Sequence, residues 1–279
     1  MDRPQDDNRV RRPGKGSEPK SARKRRSVAA RSRSPLIGVD ELIELEDTLP
    51  SKCPYLPARE MTLSAGLSFR LSPGQFDRLL ERGCRRSGVM IYQPDCPGGC
   101  FECVPIRVPV ASFEPSRSQR RLLRSVDGEV EVRVTRPRFD PEHLALHNRH
   151  ARNIAADTTP CTPTQYNLAF VETCVTTHFV EYFIEGKLAG ISVIDEGERS
   201  LSSVYFCWEP SFAKYSLGTY SALWEMRWAR ERGKAHYYLG YWVRDCRSMT
   251  YKNRFRPYEL MDWHGGEWRL VSSEASERG

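Results

Sequence analysis

Residues 178–243 carry the pattern that most narrows the possible folds. The segment HFVEYFIEGKLAGISVIDEG predicts a β-hairpin. It consists of two runs of alternating apolar and polar residues that are joined through Glu185, Gly186 and Lys187. A third strand-forming run follows in SLSSVYFCWEP, then an amphipathic helix in SLGTYSALWEMRWARERG and another strand in AHYYLGYWV. The predicted order is therefore three strands, a helix and a fourth strand, with a closing hairpin in YELMDW and EWRLV.

The segment before this core predicts a smaller α+β unit. Ser72 at the N-cap, Pro73 and a closing Gly83 predict a short helix, and strands are predicted in GVMIY and VPIRVPV. Pro105 and Pro109 predict that the second strand lies at a sheet edge or pairs irregularly. A short basic helix is predicted in PSRSQRRLLR, a strand in VEVRVTRP, and a helix in DPEHLALHNRHARNI. The histidines of that last helix predict a polar face, with a zinc-binding pair as the alternative.

Positive charge is concentrated in the first 35 residues. This stretch holds twelve Lys and Arg against four Asp and Glu, a net +8, whereas the rest of the chain holds 31 basic and 32 acidic residues. Because it lacks apolar periodicity, it cannot bury enough surface to offset its ordering entropy, and we predict a disordered tail. Such a tail either attracts phosphates nonspecifically or is only a solvated extension. No apolar run approaches the ~20 residues that a membrane-spanning helix needs.

Three cysteines lie within eight residues in CPGGCFECVPIRVPV, and a fourth, Cys53, lies upstream. Together Cys53, Cys96, Cys100 and Cys103 provide four thiolates, a number suited to zinc or to an iron–sulfur cluster. Reduced thiols that line a pocket are the other interpretation. An odd number of cysteines and an N-terminus without the apolar stretch of a secretory signal predict a reduced, cytoplasmic protein.

The predicted order of strands and helix is the layout of a GNAT-type N-acyltransferase core. The motifs CPYLP, RRSGVMIYQPDCPGGCFECVPIRVPV, SSVYFCWEP and YSLGTYSALWEMRWARERGKAHYYLGYWVRDCRSMTYKNRFRPYEL resemble the aminoacyl-tRNA–protein transferases of the N-degron pathway, closest to the bacterial aspartate/glutamate leucyltransferases. This resemblance spans about residues 53–268. We therefore predict an α+β fold in which a smaller N-terminal α+β domain precedes a GNAT-like catalytic domain with an antiparallel or mixed sheet. The predicted segments are a disordered basic tail at 1–35, a Cys-containing domain at 36–140, the catalytic domain at 141–272 and a C-terminal tail at 273–279.

The resemblance implies transfer of an aminoacyl group, most favourably Leu, from aminoacyl-tRNA to the α-amine of a protein that begins with Asp or Glu. The product carries a degradation signal, so the degradation machinery is an indirect partner. Arginyl transfer is the alternative within the family. An acetyl-CoA-dependent N-acetyltransferase and a non-catalytic RNA-binding module are the alternatives from other classes. Because the donor ester is already activated, we expect no required cofactor, and we expect a monomer without a membrane partner.

Aminolysis of an ester needs a neutral amine, a stabilised oxyanion and a proton route to the departing oxygen. Candidate catalytic residues are Tyr205, Glu209 and Tyr241, of which Glu209 would assist deprotonation of the amine. Candidates for binding the aminoacyl-tRNA, by base stacking, at a helix N-terminus or through basic clusters, are Trp208, Ser216, Gly218, Tyr238, Gly240, Lys252, Arg254, Arg256, Arg120 and Arg121. Core aromatics, a simple helix cap and a solvated loop are the structural alternatives for these residues.

The acidic acceptor residue requires a cation, and arginine suits it best through bidentate geometry. The candidates are Arg85, Arg86, Arg107 and Arg117. The cysteine turn adjoins Arg107. The resembled family includes longer eukaryotic arginyl-transferases, and these relatives carry a Cys-rich cluster here that can hold iron–sulfur. This chain has Leu56 where their first motif has a second cysteine, so two interpretations stay open: zinc or iron–sulfur at the four thiols, or reduced thiols that shape the acidic-residue pocket.

Overall fold

The computed structural model describes residues 43–272, so the predicted tails at 1–35 and 273–279 lie outside the described residues. The strands are β1 (Glu46–Asp47), β2 (Ser51–Lys52), β3 (Glu60–Met61), β4 (Leu63–Leu67), β5 (Arg85–Ser87), β6 (Met90–Pro94), β7 (Val104–Pro109), β8 (Val130–Thr135), β9 (Thr176–Ile184), β10 (Lys187–Glu196), β11 (Ser200–Trp208), β12 (His236–Trp242), β13 (Tyr258–Met261) and β14 (Trp268–Val271). The helices are α1 (Pro73–Glu81), α2 (Arg117–Val126), α3 (Pro141–Ile154), α4 (Pro163–Tyr166) and α5 (Leu217–Glu231). A π-helical turn (Asn167–Val171) follows α4, and 3-10 turns cover Pro210–Tyr215 and Thr250–Arg254.

An eight-stranded mixed sheet, in the order β14-β13-β7-β12-β11-β10-β9-β8, contains all the strands predicted for the core. Strands β9, β10 and β11 pair antiparallel in sequence, and β12, which follows α5, pairs parallel with β11. Glu185 and Gly186 both have positive φ, as the tight turn of a β-hairpin requires. The predicted α+β class and the order of three strands, helix and strand are confirmed.

Helix α5 packs one apolar face on this sheet, as its spacing predicts. Leu223, Met226 and Ala229 are almost completely buried in the main core cluster. Burying a side chain such as Leu or Met contributes about 1.5–3 kcal/mol. The same helix also buries a carboxylate, Glu225, which accepts hydrogen bonds from the hydroxyl groups of Tyr182, Ser192 and Tyr237. Three donors replace the water that the carboxylate loses, so the buried acid is tolerated.

A four-stranded sheet in the order β1-β4-β6-β5 lies in the N-terminal part, together with α1. Helix α1 begins as predicted at a capping box formed by Ser72 and Gln75, and it buries Phe76, Leu79 and Leu80 in a second core cluster. Strands β7 and β8 precede residue 141, yet both belong to the large sheet. Strands on both sides of the predicted domain boundary at residue 140 thus share one sheet, and the boundary itself stays a prediction.

Strand β7 lies between β12 and β13, inside the sheet rather than at its edge. Of the two alternatives predicted for this proline-containing strand, an edge position or irregular pairing, the structure has the second: the register of β7 against β12 shifts between Tyr238 and Gly240. Gly240 has a φ of +89°, which favours glycine. The irregularity therefore accommodates a strand with prolines in an internal position.

Helix α3 buries two of the histidines that predict a polar face, so that prediction is wrong. His143 and His150 are 2% and 7% exposed, because α3 packs against β11 and β10. His143 lies 3.3 Å from the carboxylate of Glu181, and His147 packs against the rings of Tyr166 and Tyr205. Within residues 43–272, none of the helices has the length and apolar character needed to cross a membrane.

Candidate functional site

The cleft of interest opens where β11 and β12 diverge. Their parallel pairing covers only Ser200–Ser202 against His236–Tyr238, although β11 continues to Trp208 and β12 to Trp242. Beyond the paired residues lies a cleft of about 560 Å³. Its walls come from the second half of β11, the start of α5, residues 239–241 of β12 and the 3-10 turn near Lys252. Two strands that separate in this way expose backbone and side chains to a bound molecule.

Arg85 of β5 reaches into the gap between the two strands. Its guanidinium donates to Ser202 Oγ at 2.7 Å and to the carbonyl oxygen of Ser203, both on β11. On the other side, a Cβ placed on Gly240 would lie 3.4 Å from Arg85 Nη2, so the glycine permits a close approach. Arg85 is 8% exposed, and it forms no ion pair within residues 43–272. A buried guanidinium without a carboxylate partner makes the cleft a site for an anion.

Lys252 provides a second buried basic group in the same cleft. Its Nζ donates to the carbonyl oxygen of Tyr241 at 2.7 Å, and the residue is 9% exposed. Burial, with a further contribution from the positive charge of Arg85, lowers the pKa of Lys252 to about 7. At neutral pH this amine is therefore divided between its charged and neutral forms, and the neutral form can accept a proton.

The N-terminus of α5 closes the opposite part of the cleft. Ser216, Leu217, Gly218 and Thr219 all line it. Ser216 has a left-handed backbone conformation, with φ 48°, and its side chain forms no capping bond with the helix. The first amides of a helix have no partner inside the helix and favour negative charge, so this 15-residue helix presents a phosphate or an oxyanion with free donors.

Comparison with known proteins shows the family of the chain. Residues 51–121 match the N-terminal and residues 142–262 the C-terminal family model of the arginine-tRNA-protein transferases. The aspartate/glutamate leucyltransferase of Chromohalobacter salexigens is 39% identical over 229 residues, covering 80% of this chain and 90% of that protein. The aspartate/glutamate leucyltransferase of Chromobacterium violaceum is 34% identical over 227 residues, covering 80% and 92%.

The chain belongs to the aspartate/glutamate leucyltransferase family. Among solved structures, the C-terminal domain of a putative lysylphosphatidylglycerol synthetase from Agrobacterium fabrum superposes with a TM-score of 0.43 at 14% identity, covering 75% of this chain and 68% of that one. That likeness is too slight to support a statement about function. The family resemblance predicted from the motifs is confirmed.

The structure brings two of the three residues predicted to be catalytic in this leucyltransferase-family chain to the cleft. Tyr205 lines it, and its ring stacks on Phe170 with centroids 4.9 Å apart. Tyr241 also lines it, but its hydroxyl donates to the carbonyl oxygen of Gly83 at 2.8 Å, and burial raises its pKa well above the usual value. Glu209 lies just past β11, outside the cleft lining, and accepts from Arg149 Nε at 2.6 Å. The carboxylate of Glu209 is therefore already engaged by a cation outside the cleft.

The residues predicted to bind the aminoacyl-tRNA divide into two groups. Those that line the cleft are Trp208, Ser216, Gly218, Gly240 and Lys252. Those that lie outside its lining are Tyr238, Arg254, Arg256, Arg120 and Arg121. Of the second group, Arg120 and Arg121 are exposed on α2, whereas the Tyr238 hydroxyl accepts from Arg107 Nη1 at 2.9 Å.

The predicted acceptor-binding arginines have four different environments. Arg85 alone is buried in the cleft without an acid. Arg86 also lines the cleft, but its guanidinium binds both carboxylate oxygens of Asp195, at 2.6 and 2.7 Å, and both side chains are fully buried. Arg107 Nε lies 2.5 Å from Glu259, and its guanidinium covers the ring of Trp268. Arg117 is exposed on α2.

The four predicted metal-ligand cysteines line a separate cavity of about 270 Å³, here called the thiol cavity. Cys53, Cys96, Cys100 and Cys103 are all free. Across residues 43–272, no three or more His, Cys, Asp or Glu side chains come together in a way that could hold a metal ion. Cys100 Sγ accepts instead from Arg59 Nη1 at 3.0 Å. These side-chain positions do not fit a preformed metal centre, and metal binding by the four cysteines stays a prediction.

Sequence patterns missed three contributors to the cleft. His150 lines it, and its Nδ1 lies 3.1 Å from the carbonyl oxygen of Trp208. Burial lowers its pKa, so the ring is held neutral. Tyr55 and Tyr92 line both the cleft and the thiol cavity, as Tyr241 does. The CPYLP motif contains Tyr55, but only the three-dimensional packing shows that its ring adjoins the cleft.

Proposed function

We propose that this protein transfers the leucyl group from leucyl-tRNA to the α-amine of proteins that begin with Asp or Glu. The names of its relatives support this activity. The observation that carries it is the cleft itself. The first amides of α5 lie at one end of the cleft lining, and Arg85, which has no carboxylate partner among the described residues, lies elsewhere in it. A charged tRNA end and an acidic N-terminus are substrates of complementary chemistry.

In the complex with the acceptor protein, the side-chain carboxylate of its first residue, Asp or Glu, binds Arg85. Arg86 and Arg107 already neutralise Asp195 and Glu259, so neither can offer a full positive charge to a second carboxylate. A guanidinium with an open face can bind a carboxylate through two hydrogen bonds, which fixes orientation as well as affinity. A peptide that begins with a neutral residue leaves Arg85 without a partner and is rejected.

Lys252 accepts the proton in the transfer step. The acceptor nitrogen attacks the carbonyl carbon of the aminoacyl ester, a C–N bond forms, and the bond from that carbon to the ribose oxygen breaks. The nitrogen loses a proton to the neutral amine of Lys252, and the ammonium formed there gives a proton to the departing ribose oxygen, which restores the neutral amine. This assignment replaces Glu209, which lies outside the cleft lining and whose carboxylate is held by Arg149.

The tRNA end occupies the part of the cleft between α5 and β11. The amides at Leu217 and Gly218 face a phosphate or the oxyanion, and Trp208 and His150 offer flat surfaces to the terminal base. Outside the cleft, Arg120 and Arg121 on α2 provide exposed positive charge for the phosphate backbone. We assign the base and phosphate contacts to positioning of the donor, whereas amides that face the oxyanion stabilise the transition state.

The finer properties of the protein are also proposals. We propose that it acts as a cytoplasmic monomer, that its products pass to the degradation machinery of the cell, and that transfer requires no cofactor. Zinc or an iron–sulfur cluster at the thiol cavity is the alternative for the last point. Metal analysis of anaerobically purified protein decides it, and less than about 0.2 equivalents of zinc and iron rejects the metal.

One experiment tests the proposed activity directly. Transfer of radiolabel is measured from tRNAs charged with Leu or Arg onto peptides that begin with Asp, Glu or Ala. We expect label on the Asp and Glu peptides from leucyl-tRNA and none on the Ala peptide. Label from arginyl-tRNA alone would establish the arginyl alternative, and label on no peptide would overturn the proposal.

A further inference from the structure

The thiol cavity adjoins the cleft and differs from it in chemistry. Three tyrosines, Tyr55, Tyr92 and Tyr241, line both spaces. Apart from these rings and the four cysteines, the cavity is lined chiefly by apolar side chains: Pro54, Leu56, Met61, Leu63, Met90 and Pro94. A group bound in the cleft therefore has an apolar space beside it.

The interior of the thiol cavity carries no positive charge to bind an acid. Among the described residues, its lining includes no Lys, Arg or His side chain. Its two carboxylates belong to Glu60, which is exposed, and to Glu102, which lies 3.7 Å from Arg59 with both side chains more than two-fifths exposed. The charges are at the solvent rim, and the interior suits an uncharged apolar group.

The reactants of the proposed function contain one group with that character. The acidic side chain of the acceptor requires Arg85, which lies in the cleft. The ribose and phosphate of the tRNA end require polar partners, which the start of α5 provides. The leucyl side chain is the remaining group, and it is apolar in every turnover.

We propose that the thiol cavity receives the leucyl side chain of the donor and selects it by size and polarity. This inference rests on the proposed function, and it assigns a specificity role to Met61 and Met90. It departs from the prediction that reduced thiols shape the acidic-residue pocket, because the acid-binding cation lies in the cleft. A longer cationic side chain would leave its charge against apolar walls, which disfavours it.

The first test fills the cavity. In Met61→Trp and, separately, Met90→Trp, kcat/KM is measured with one tRNA that carries either a leucyl or a chemically attached alanyl group, with an Asp-initiated peptide as acceptor. We expect transfer of leucine to fall by at least about 10-fold while transfer of alanine changes little, since pocket contacts of this size are worth about 10–200-fold. An unchanged leucine-to-alanine ratio in both variants overturns the inference.

Leu270→Trp is the matched control. Leu270 lies on β14, is 58% exposed and lines neither the thiol cavity nor the cleft. The same bulky side chain is added there without filling the cavity, so the leucine-to-alanine ratio should equal that of the wild type. Thermal melting of all three variants checks that each is folded. A leucine-to-alanine ratio in Leu270→Trp that falls below the wild-type value also counts against the inference.

The second test follows binding rather than activity. The wild-type protein is treated with N-ethylmaleimide in the presence of a non-hydrolysable leucyl-adenosine analogue or its alanyl counterpart, and labelling of Cys100 and Cys103 is measured by mass spectrometry. We expect the leucyl analogue to slow labelling several-fold more than the alanyl one. Equal labelling overturns the inference, as does about one equivalent of zinc or iron held by these thiols.

The two levels of the argument fail in different ways. If the wild type transfers no amino acid from any charged tRNA to any peptide, the proposed function fails and this inference fails with it. If the wild type transfers leucine but filling the cavity leaves donor choice unchanged, the inference fails alone and the proposed function stands.

Discussion

Arg85, Arg86 and Arg107 share a residue type and differ in what surrounds them. All three are buried, yet Arg86 and Arg107 each face a carboxylate at 2.6 and 2.5 Å. Within residues 43–272, the hydrogen bonds of the Arg85 guanidinium go to a hydroxyl and a carbonyl group on β11. Because a buried cation without an acid is costly, its presence in the cleft lining supports the proposed role of Arg85 in binding an acidic acceptor.

Replacement of Arg85 by Met should remove the preference for acidic acceptors. We expect the kcat/KM ratio between peptides that begin with Asp and with Asn to fall towards one, since loss of one partner of a buried charge pair costs about 2–5 kcal/mol. Steady-state kinetics with both peptides measures the ratio. Arg117→Met, at an exposed position on α2, is the control and should leave the ratio unchanged; a preserved ratio in Arg85→Met contradicts the assignment.

Lys252 should control the pH dependence of transfer. Its pKa of about 7 means that the amine is protonated below this pH and able to accept a proton above it. We expect the rate of the wild type to rise as the pH increases through about 7. In Lys252→Met we expect a rate about 10²–10⁴-fold lower that keeps only the titration of the acceptor α-amine, near pH 7.7–8.0. A variant with the wild-type pH profile would exclude Lys252 as the proton acceptor.

Within elements, α5 combines an ordinary packing face with a buried acid. Burial raises the pKa of Glu225, although three hydroxyl groups donate to it. A carboxyl whose pKa is higher in the folded than in the unfolded state stabilises the fold while it is protonated. That contribution is present below the unfolded pKa and is lost as the pH rises through the folded pKa.

Replacement of Glu225 by Gln should therefore stabilise the protein at alkaline pH. The neutral amide keeps an acceptor oxygen for the hydroxyl groups and carries no charge to desolvate. We expect Glu225→Gln to exceed the wild type in free energy of unfolding by about 1 kcal/mol at pH 8, and the difference to shrink as the pH falls towards 5. Urea denaturation at the two pH values measures it, and a variant less stable than the wild type at pH 8 would refute the argument.

Helix α3 shows why a histidine pattern misleads. Its three histidines lie at helical spacing, and the sequence gives no sign that a sheet covers them. Their neighbours in space are Glu181, Tyr205 and Trp208, which lie on β9 and β11. Contacts between segments so distant along the chain leave no mark in the local periodicity that predicts an amphipathic helix.

At the scale of the whole molecule, one buried ion pair joins the two sheets. Arg86 belongs to β5 of the small sheet and Asp195 to β10 of the large one, and Thr177 also donates to Asp195 at 2.7 Å. A pair of this kind contributes little net stability against an apolar replacement, but removal of one partner leaves a buried charge without compensation.

The single variant Arg86→Met should therefore destabilise the protein by about 3–5 kcal/mol, and the double variant Arg86→Met, Asp195→Leu by clearly less than the sum of the two single changes. Chemical denaturation of the four proteins gives the coupling energy. Arg133→Met removes an exposed pair with Glu131 and should leave the free energy of unfolding nearly unchanged. If the effects of Arg86→Met and Asp195→Leu on the free energy of unfolding are additive, the ion pair between Arg86 and Asp195 does not couple the two sheets.

Much of the architecture was predictable because it depends on local signals. Ser72 with Gln75 marks the start of α1, Glu185-Gly186 marks the hairpin, and the apolar spacing of α5 marks its buried face. The internal position of β7 was not predictable, since prolines argue for an edge and only the register shift near Gly240 reconciles them with the sheet.

The sequence by itself determined the order of β9, β10, β11, α5 and β12, the starts of α1 and α3, and the family, because caps, turns and periodicity act within a few residues and the motifs recur in order. The tertiary structure alone decided which cations are free for a substrate. Arg86 and Arg107 find their acids 109 and 152 positions away, and Arg85, the neighbour of Arg86, finds none among the described residues. Charge compensation depends on distance in space, so no reading of neighbours along the chain could tell these arginines apart.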